Sequence, residues 1–464
     1  MTQNTRQQTC QRNNRPAVDY LPPVNASLYE TFTTVFDLRK AISMRKAAIW
    51  LILTALAVVM ASNYLTGALL PVFKPSGSDF SELYVASWLW RHGHNAYDSA
   101  IATAAHQQVV GASEEIFLVN VPTSLVLAAP LTLLSWGWAN FVFLTSAVIG
   151  LVATTFAILR LQGRSSWGIE TALVIVFLLS FSPVRIAFQW GNIVLLVLPL
   201  SVMTILLEEK RHDWQAGVLL GLAVCLKPQI GMWLGIYYLV RARFQIVAAS
   251  LAVGSFIAAL FFLHPVPYHE WLLSYRANLQ HWFDPGGPYG FTEGSLSFIL
   301  LRTQGVLYTI THRAFISSLL AYGLFLICAG IWGILIWRSG ARVPSSLAIT
   351  ALIAASFLSF YHSIPDVSVL SIALCDAFPA SLQGWKRTQQ WICFLLFLIM
   401  LPQRSIFVLL SHRLGSSILT SWWWNLFFLR YMVWLLLALS LALLLRMREA
   451  ATSIKPDLVE ENRS

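Results

Sequence analysis

Between positions 47 and 70 the sequence reads AAIWLILTALAVVMASNYLTGALL, twenty-four residues without a charged side chain. At about 1.5 Å of rise per residue, such a run crosses a hydrocarbon core of about 30 Å. A segment in lipid has no water to satisfy its backbone, so it has to be helical. The run does not read as a secretory signal: forty-six mostly polar residues precede it, whereas signal peptides begin close to the first methionine.

Comparable apolar segments recur near 121–160, 168–183, 191–207, 214–241, 244–263, 295–310, 314–338, 345–361, 366–382, 389–403 and 424–446. The expectation is an all-α polytopic membrane protein with roughly 11–13 transmembrane or re-entrant helices, several too short to span without tilting. Charged residues make up only 11% of the chain, against about 25% in a typical soluble domain. Three parts are expected: a polar tail over 1–44, a membrane domain over 45–448 and a second tail over 449–464.

A formal net charge of +10 raises nucleic acid as a partner, but no basic tract exists. The basic residues fall in pairs between apolar segments, such as Arg160 with Arg164, Lys210 with Arg211, Arg241 with Arg243 and Arg338 with Arg342. Such pairs are topology signals that favour the cytoplasmic side. They put both termini inside and leave 71–120, 264–313, a turn near 184–190 and 404–423 outside. Five cysteines without a CxxC pair indicate neither a disulfide framework nor a zinc site.

Segment 214–241 starts and ends at basic pairs, so it reads as a hairpin broken within the membrane. The break has a visible cause in Lys227 followed by Pro228, because proline lacks a donor and suits the first position of a new helix. An ammonium inside an apolar segment is costly and marks function unless it snorkels to the interface.

Four further polar groups fall on the same predicted outer face. Asp79 opens SDFSE, which reads either as a capping box, with Asp79 as N-cap and Glu82 at N3, or as a general base facing a cavity. In the capping reading Tyr84 and Trp88 share one face at headgroup level. Arg185 sits at a helix break in SFSPVRIAFQWGN, and His362 and Asp366 stand at the turn SFYHSIPDVSVL, with Asp366 a natural N-cap. No phosphate-binding glycine loop, HExxH or DxD-like clamp is present, and the spacing of His92 and His94 makes a poor metal pair.

The order of these motifs resembles a known family. Asp79, Phe80, Tyr84, Ala86, Gly93, Tyr97 and Asp98 form a DF…Y…A…G…YD loop, followed by NVPTSLVLAAPLTLL, SPVRIAFQWGNIVLLVLPL, AGVLLGLAVCLKPQIGMWL and YHSIPDVSVL. Over roughly residues 75–375 this is similar to the polyprenol-phosphate-mannose-dependent mannosyltransferases of glycosyltransferase family 87. The resemblance implies a GT-C architecture, a first external loop carrying interfacial helices, and a polyprenyl-phosphate sugar, usually mannose, as donor. It implies Asp79 as the base of an inverting transfer on the outer face of a bacterial inner membrane. Lys227, Arg185 and His362 would then meet the donor phosphate, with Asp366 and Asn192 completing the substrate-binding set. Asn192 stands where the family often has glutamine. The acceptor implied is a glycan or glycolipid hydroxyl; neither cofactor nor metal is called for.

Two other readings fit a charged cavity in a membrane. A transporter or flippase would show broken helices in paired repeats, and only one broken segment stands out here. An O-antigen ligase or polymerase would rely on outer-loop arginines and a histidine instead of a first-loop aspartate.

Overall fold

The computed structural model describes residues 79–164, 169–263, 265–284, 287–290, 300–378, 385–401, 418 and 421–452. The first apolar run and the N-terminal tail lie outside the described residues. Contacts divide the chain into Met1–Ala55 and Leu56–Ser464, and every described residue belongs to the second unit.

The described residues are mostly helical and hold no strand, apart from one isolated bridge between Leu300 and Ser363. In order they are α1 (Asp79–Arg91), α2 (Ser99–Val109), α3 (Pro122–Ala128) with a 3-10 turn, α4 (Trp136–Leu161), α5 (Ile169–Ser180), α6 (Ser182–Trp190) and α7 (Val194–Glu209). There follow α8 (Asp213–Leu226), α9 (Pro228–Val240), α10 (Phe244–Phe262), α11 (Tyr268–Phe283), α12 (Thr303–Thr311), α13 (Ala314–Ser339) and α14 (Ser345–Ser356). Short 3-10 helices over Gly340–Arg342 and Ile364–Ala373, α15 (Leu374–Ala377), α16 (Arg387–Met400), a π-helical turn over Trp424–Leu429 and α17 (Tyr431–Thr452) complete them. Four of these, α4, α10, α13 and α17, are long and apolar enough to cross a membrane. This is an all-α polytopic membrane protein.

Two of the apolar segments are broken, the second of them at the place expected. Segment 121–160 divides at Leu134–Ser135 into α3 with its 3-10 turn and α4. Segment 214–241 divides at Lys227, whose extended backbone (φ −150°, ψ 84°) ends α8 and precedes Pro228 at the start of α9. The arms of this hairpin fold back until Gly231 lies against the backbone of Val224. On its other side α8 packs on α10 just as closely. A methyl group on Gly217 would stand 2.5 Å from the Ile246 carbonyl oxygen and 2.6 Å from the Ala249 side chain. Small residues at such a crossing let two backbones approach in lipid.

Two expectations about local structure need correction. Tyr84 does not face headgroups: it is 2% exposed and donates to the Leu134 carbonyl at 2.7 Å. Helix α1 packs on α2, α3 and α4, with Phe80 stacked 4.1 Å from Phe143, so it is buried on most sides and does not float on the interface. At the late turn, Ser363 rather than Asp366 is the N-cap, and Asp366 is the reciprocal N3 partner of a capping box. Serine carries the hydroxyl that caps, and the carboxylate three residues on returns the bond to the Ser363 amide at 2.9 Å.

The basic pairs gather at one end of the bundle. Arg243 binds Glu208 at 3.1 Å and Asp213 at 2.5 Å, Arg241 reaches the Gly340 carbonyl, and Arg342 reaches the Ala451 carbonyl at 3.3 Å. Lys227 stands at the far tip of the hairpin that these residues close.

Candidate active site

Five stretches distant in sequence meet at that tip. The 3-10 helix after Ser363 is buried over its whole length and packs on α6, α7 and α14, which puts Asp366 in the centre of the bundle. Helix α6 ends at Gly191, whose left-handed backbone (φ 59°) reverses the chain, a conformation glycine adopts without steric cost. The reversal presents the Asn192 side chain. Its Oδ1 accepts from the Val194 amide at 3.0 Å, and that bond fixes which way the side-chain amide points. Helix α3 is tied to the hairpin tip by Thr123, which donates to the Cys225 carbonyl at 2.7 Å.

The polar groups form a continuous chain. Asn192 Nδ2 donates to Asp79 Oδ2 at 2.5 Å, and Lys227 Nζ donates to Asn192 Oδ1 at 3.0 Å. The same ammonium forms an ion pair with Asp366, whose other oxygen lies 3.7 Å from His362 Nδ1. His362 is fully buried, stacks on Phe357 and meets Ser356 Oγ through Nε2 at 3.0 Å. A buried charge needs both a counter-charge and hydrogen bonds, and Lys227 has both.

Above this chain lies a cavity of about 370 Å³. Asp79, Glu82, Asn192 and Lys227 line it, as do Tyr289 and Tyr361, with Trp190, Trp282 and Phe117 supplying aromatic wall. Burial pushes the Asp79 carboxyl above the ordinary aspartate range; the Asn192 bond and the Lys227 charge pull it back, and the Asp366 charge adds to the rise. Glu82 is pushed up to about 8, first by burial and then by the charges of Asp79 and Glu114. Tyr289 is pushed up to about 12, first by burial and then by the charges of Asp79 and Glu82.

Of the residues singled out in the sequence, the structure brings Asp79, Asn192, Lys227, Asp366 and His362 together. It does not bring Arg185, which is half-buried on α6 and does not line the cavity. His362 and Asp366 stand behind the wall, and Asp366 meets the cavity lining through Lys227 and the Ser363 amide. Asp79 lies in the first turn of α1 with Glu82, and the bond that it is seen to make is to Asn192. Tyr289, Tyr361, Trp190 and Gln229 were not anticipated; loop tyrosines carry no local signal of where they fold. Glu82 had a signal, an acid one turn after Asp79, but the spacing also fits a capping box. Among the described residues no three His, Cys, Asp or Glu side chains converge as metal ligands.

Compared with curated proteins and with solved structures, the chain matches none. The family model described as glycosyltransferase family 87 matches residues 117–362, a span that takes in Asn192, Lys227 and His362 and starts after Asp79. With more than half of its length matched, the chain belongs to glycosyltransferase family 87 and is a membrane glycosyltransferase.

Proposed function

We propose that the protein moves a hexose, in the first instance mannose, from a polyprenyl-phosphate donor to an acceptor hydroxyl at the outer face of the membrane. The observation that carries this reading is the bonded chain from Asp79 through Asn192 to Lys227, all three lining one cavity, with Asp366 behind the wall paired to the ammonium. It supplies a proton acceptor and a cation within one enclosed space.

Asp79 takes the proton of the acceptor hydroxyl while the oxygen attacks the anomeric carbon. A bond forms there, the bond from the same carbon to the phosphate oxygen breaks, and its electron pair leaves with the prenyl phosphate. Attack opposite the leaving group inverts the anomeric centre. A carboxyl held above the ordinary aspartate range is a stronger base than a free one, provided it is ionised. Of the three groups expected at the phosphate, Lys227 alone lines the cavity, so the developing charge is assigned to Lys227. The reaction as written calls for no cofactor. This arrangement suits a GT-C enzyme in a plasma membrane, with both termini cytoplasmic and a glycan or glycolipid as acceptor.

The test is transfer from radiolabelled polyprenyl-phosphate mannose into total membrane lipid extract by wild type and Asp79→Asn. Asparagine keeps the size and removes the base. Wild type is expected to transfer, with a rate that falls as pH drops through the raised Asp79 pKa, and folded Asp79→Asn to lose at least about a hundredfold. Equal transfer by both proteins would remove Asp79 from the chemistry.

A further inference from the structure

Asp79 is bound by Asn192, and Asp366 by Lys227 and the Ser363 amide. Glu82 lines the same cavity, yet its carboxyl makes no hydrogen bond or ion pair with any described residue. A half-buried carboxyl with no hydrogen-bond or ion-pair partner among the described residues, open to a cavity, is a group kept for a ligand. We propose that Glu82 recognises the acceptor: it holds a hydroxyl next to the one that Asp79 activates, so that acceptors with vicinal hydroxyls, meaning sugars, are taken over simple lipid alcohols. The inference rests on the proposed glycosyl transfer and adds to it the residue that selects the acceptor.

Position along α1 assigns the side. Residues three apart on a helix share a face, so Glu82 stands beside Asp79. In a displacement the attacking oxygen and the leaving phosphate lie on opposite sides of the anomeric carbon. A group beside the base therefore belongs to the acceptor half of the site. Its surroundings fit: Asp79 and Tyr289 face it in the cavity and Glu114 adds a charge from the loop before α3, with no cation among these groups to attract a phosphate. Near neutral pH the carboxyl is mostly protonated, and a neutral acid donates one hydrogen bond and accepts another. Two adjacent hydroxyls present that complement.

Wild type, Glu82→Gln and Glu82→Ala are compared in lipid nanodiscs. Glutamine copies the neutral acid, whereas alanine removes both bonds. The first readout is binding without donor, followed through the fluorescence of the cavity tryptophans Trp190 and Trp282, with octyl mannoside against 1-octanol as probes. Octyl mannoside affinity is expected to fall about tenfold in Glu82→Ala and to stay within about threefold in Glu82→Gln, with octanol unchanged in both. In the transfer assay the alanine variant should raise acceptor KM and leave kcat and donor KM in place. Equal octyl mannoside binding by wild type and Glu82→Ala overturns the proposal. So does a Glu82→Gln enzyme as inactive as Asp79→Asn, because Glu82 would then be the base. If wild type transfers from no polyprenyl-phosphate sugar, the donor reading falls, while the binding comparison still decides the role of Glu82.

Discussion

Lys227 is 7% exposed and Asp366 is fully buried, so each charge depends on the other to remain inside the protein. Removing one partner of such a pair costs about 3–5 kcal/mol, whereas replacing both with apolar groups is often neutral. Asp366→Ala should therefore lower the thermal midpoint sharply, and Lys227→Met with Asp366→Leu should recover most of it. The double variant is still expected to be inactive, because the cation is gone. Unfolding curves and transfer rates on the same preparations separate the two effects. Each of these residues was conspicuous in the sequence, a lysine in an apolar run and an aspartate at a turn. Their bond was not, because nothing local to either residue encodes a partner so far along the chain. Arg185 shows the opposite failure: its helix break looks like the one at Lys227, but the side chain does not line the cavity. Glu82 was read only as a capping partner, since i and i+3 acids serve caps and cavities alike.

At the scale of elements, the breaks were the most legible feature. Pro228 and Gly191 have backbone requirements that hold in any surroundings, so the hairpin of α8 and α9 could be placed before any contact was known. The approach of α8 to α10 was written less openly, in Gly217 and Gly221 four apart within an apolar stretch. Gly217→Val would drive a side chain into the Ile246 backbone and is expected to cost about 1–3 kcal/mol by overpacking. Gly235→Ala, on α9 with nothing within 4 Å of the added methyl, is the matched control and should leave the thermal midpoint unchanged or higher. Burial of α1 was not legible, because its Trp and Tyr residues suit a headgroup belt as well as a core.

At the scale of the whole molecule, the basic pairs around Arg241, Arg243 and Arg342 share one end and the cavity with Lys227 the other, which makes orientation a single question. Both termini inside requires the α1–α2 region outside. A cysteine placed at exposed His94 should react with a membrane-impermeant maleimide on intact cells, and one at exposed Lys210 only after permeabilisation. The reverse pattern would turn the protein over and move the cavity to the cytoplasmic side. The spread of the site along the chain also bears on how the protein is made. Asp366 follows Lys227 by about 140 residues, which at about 5–20 residues per second is on the order of ten seconds of synthesis. During that interval the lysine exists without its counter-ion. Asn192 has already been synthesised, and its side-chain oxygen is, among the described residues, the partner that the Lys227 ammonium takes from an earlier part of the chain. The amide that links base to cation in the finished enzyme is thus also the first group able to receive the ammonium during biogenesis, and a variant lacking it would face quality control before it faced a substrate.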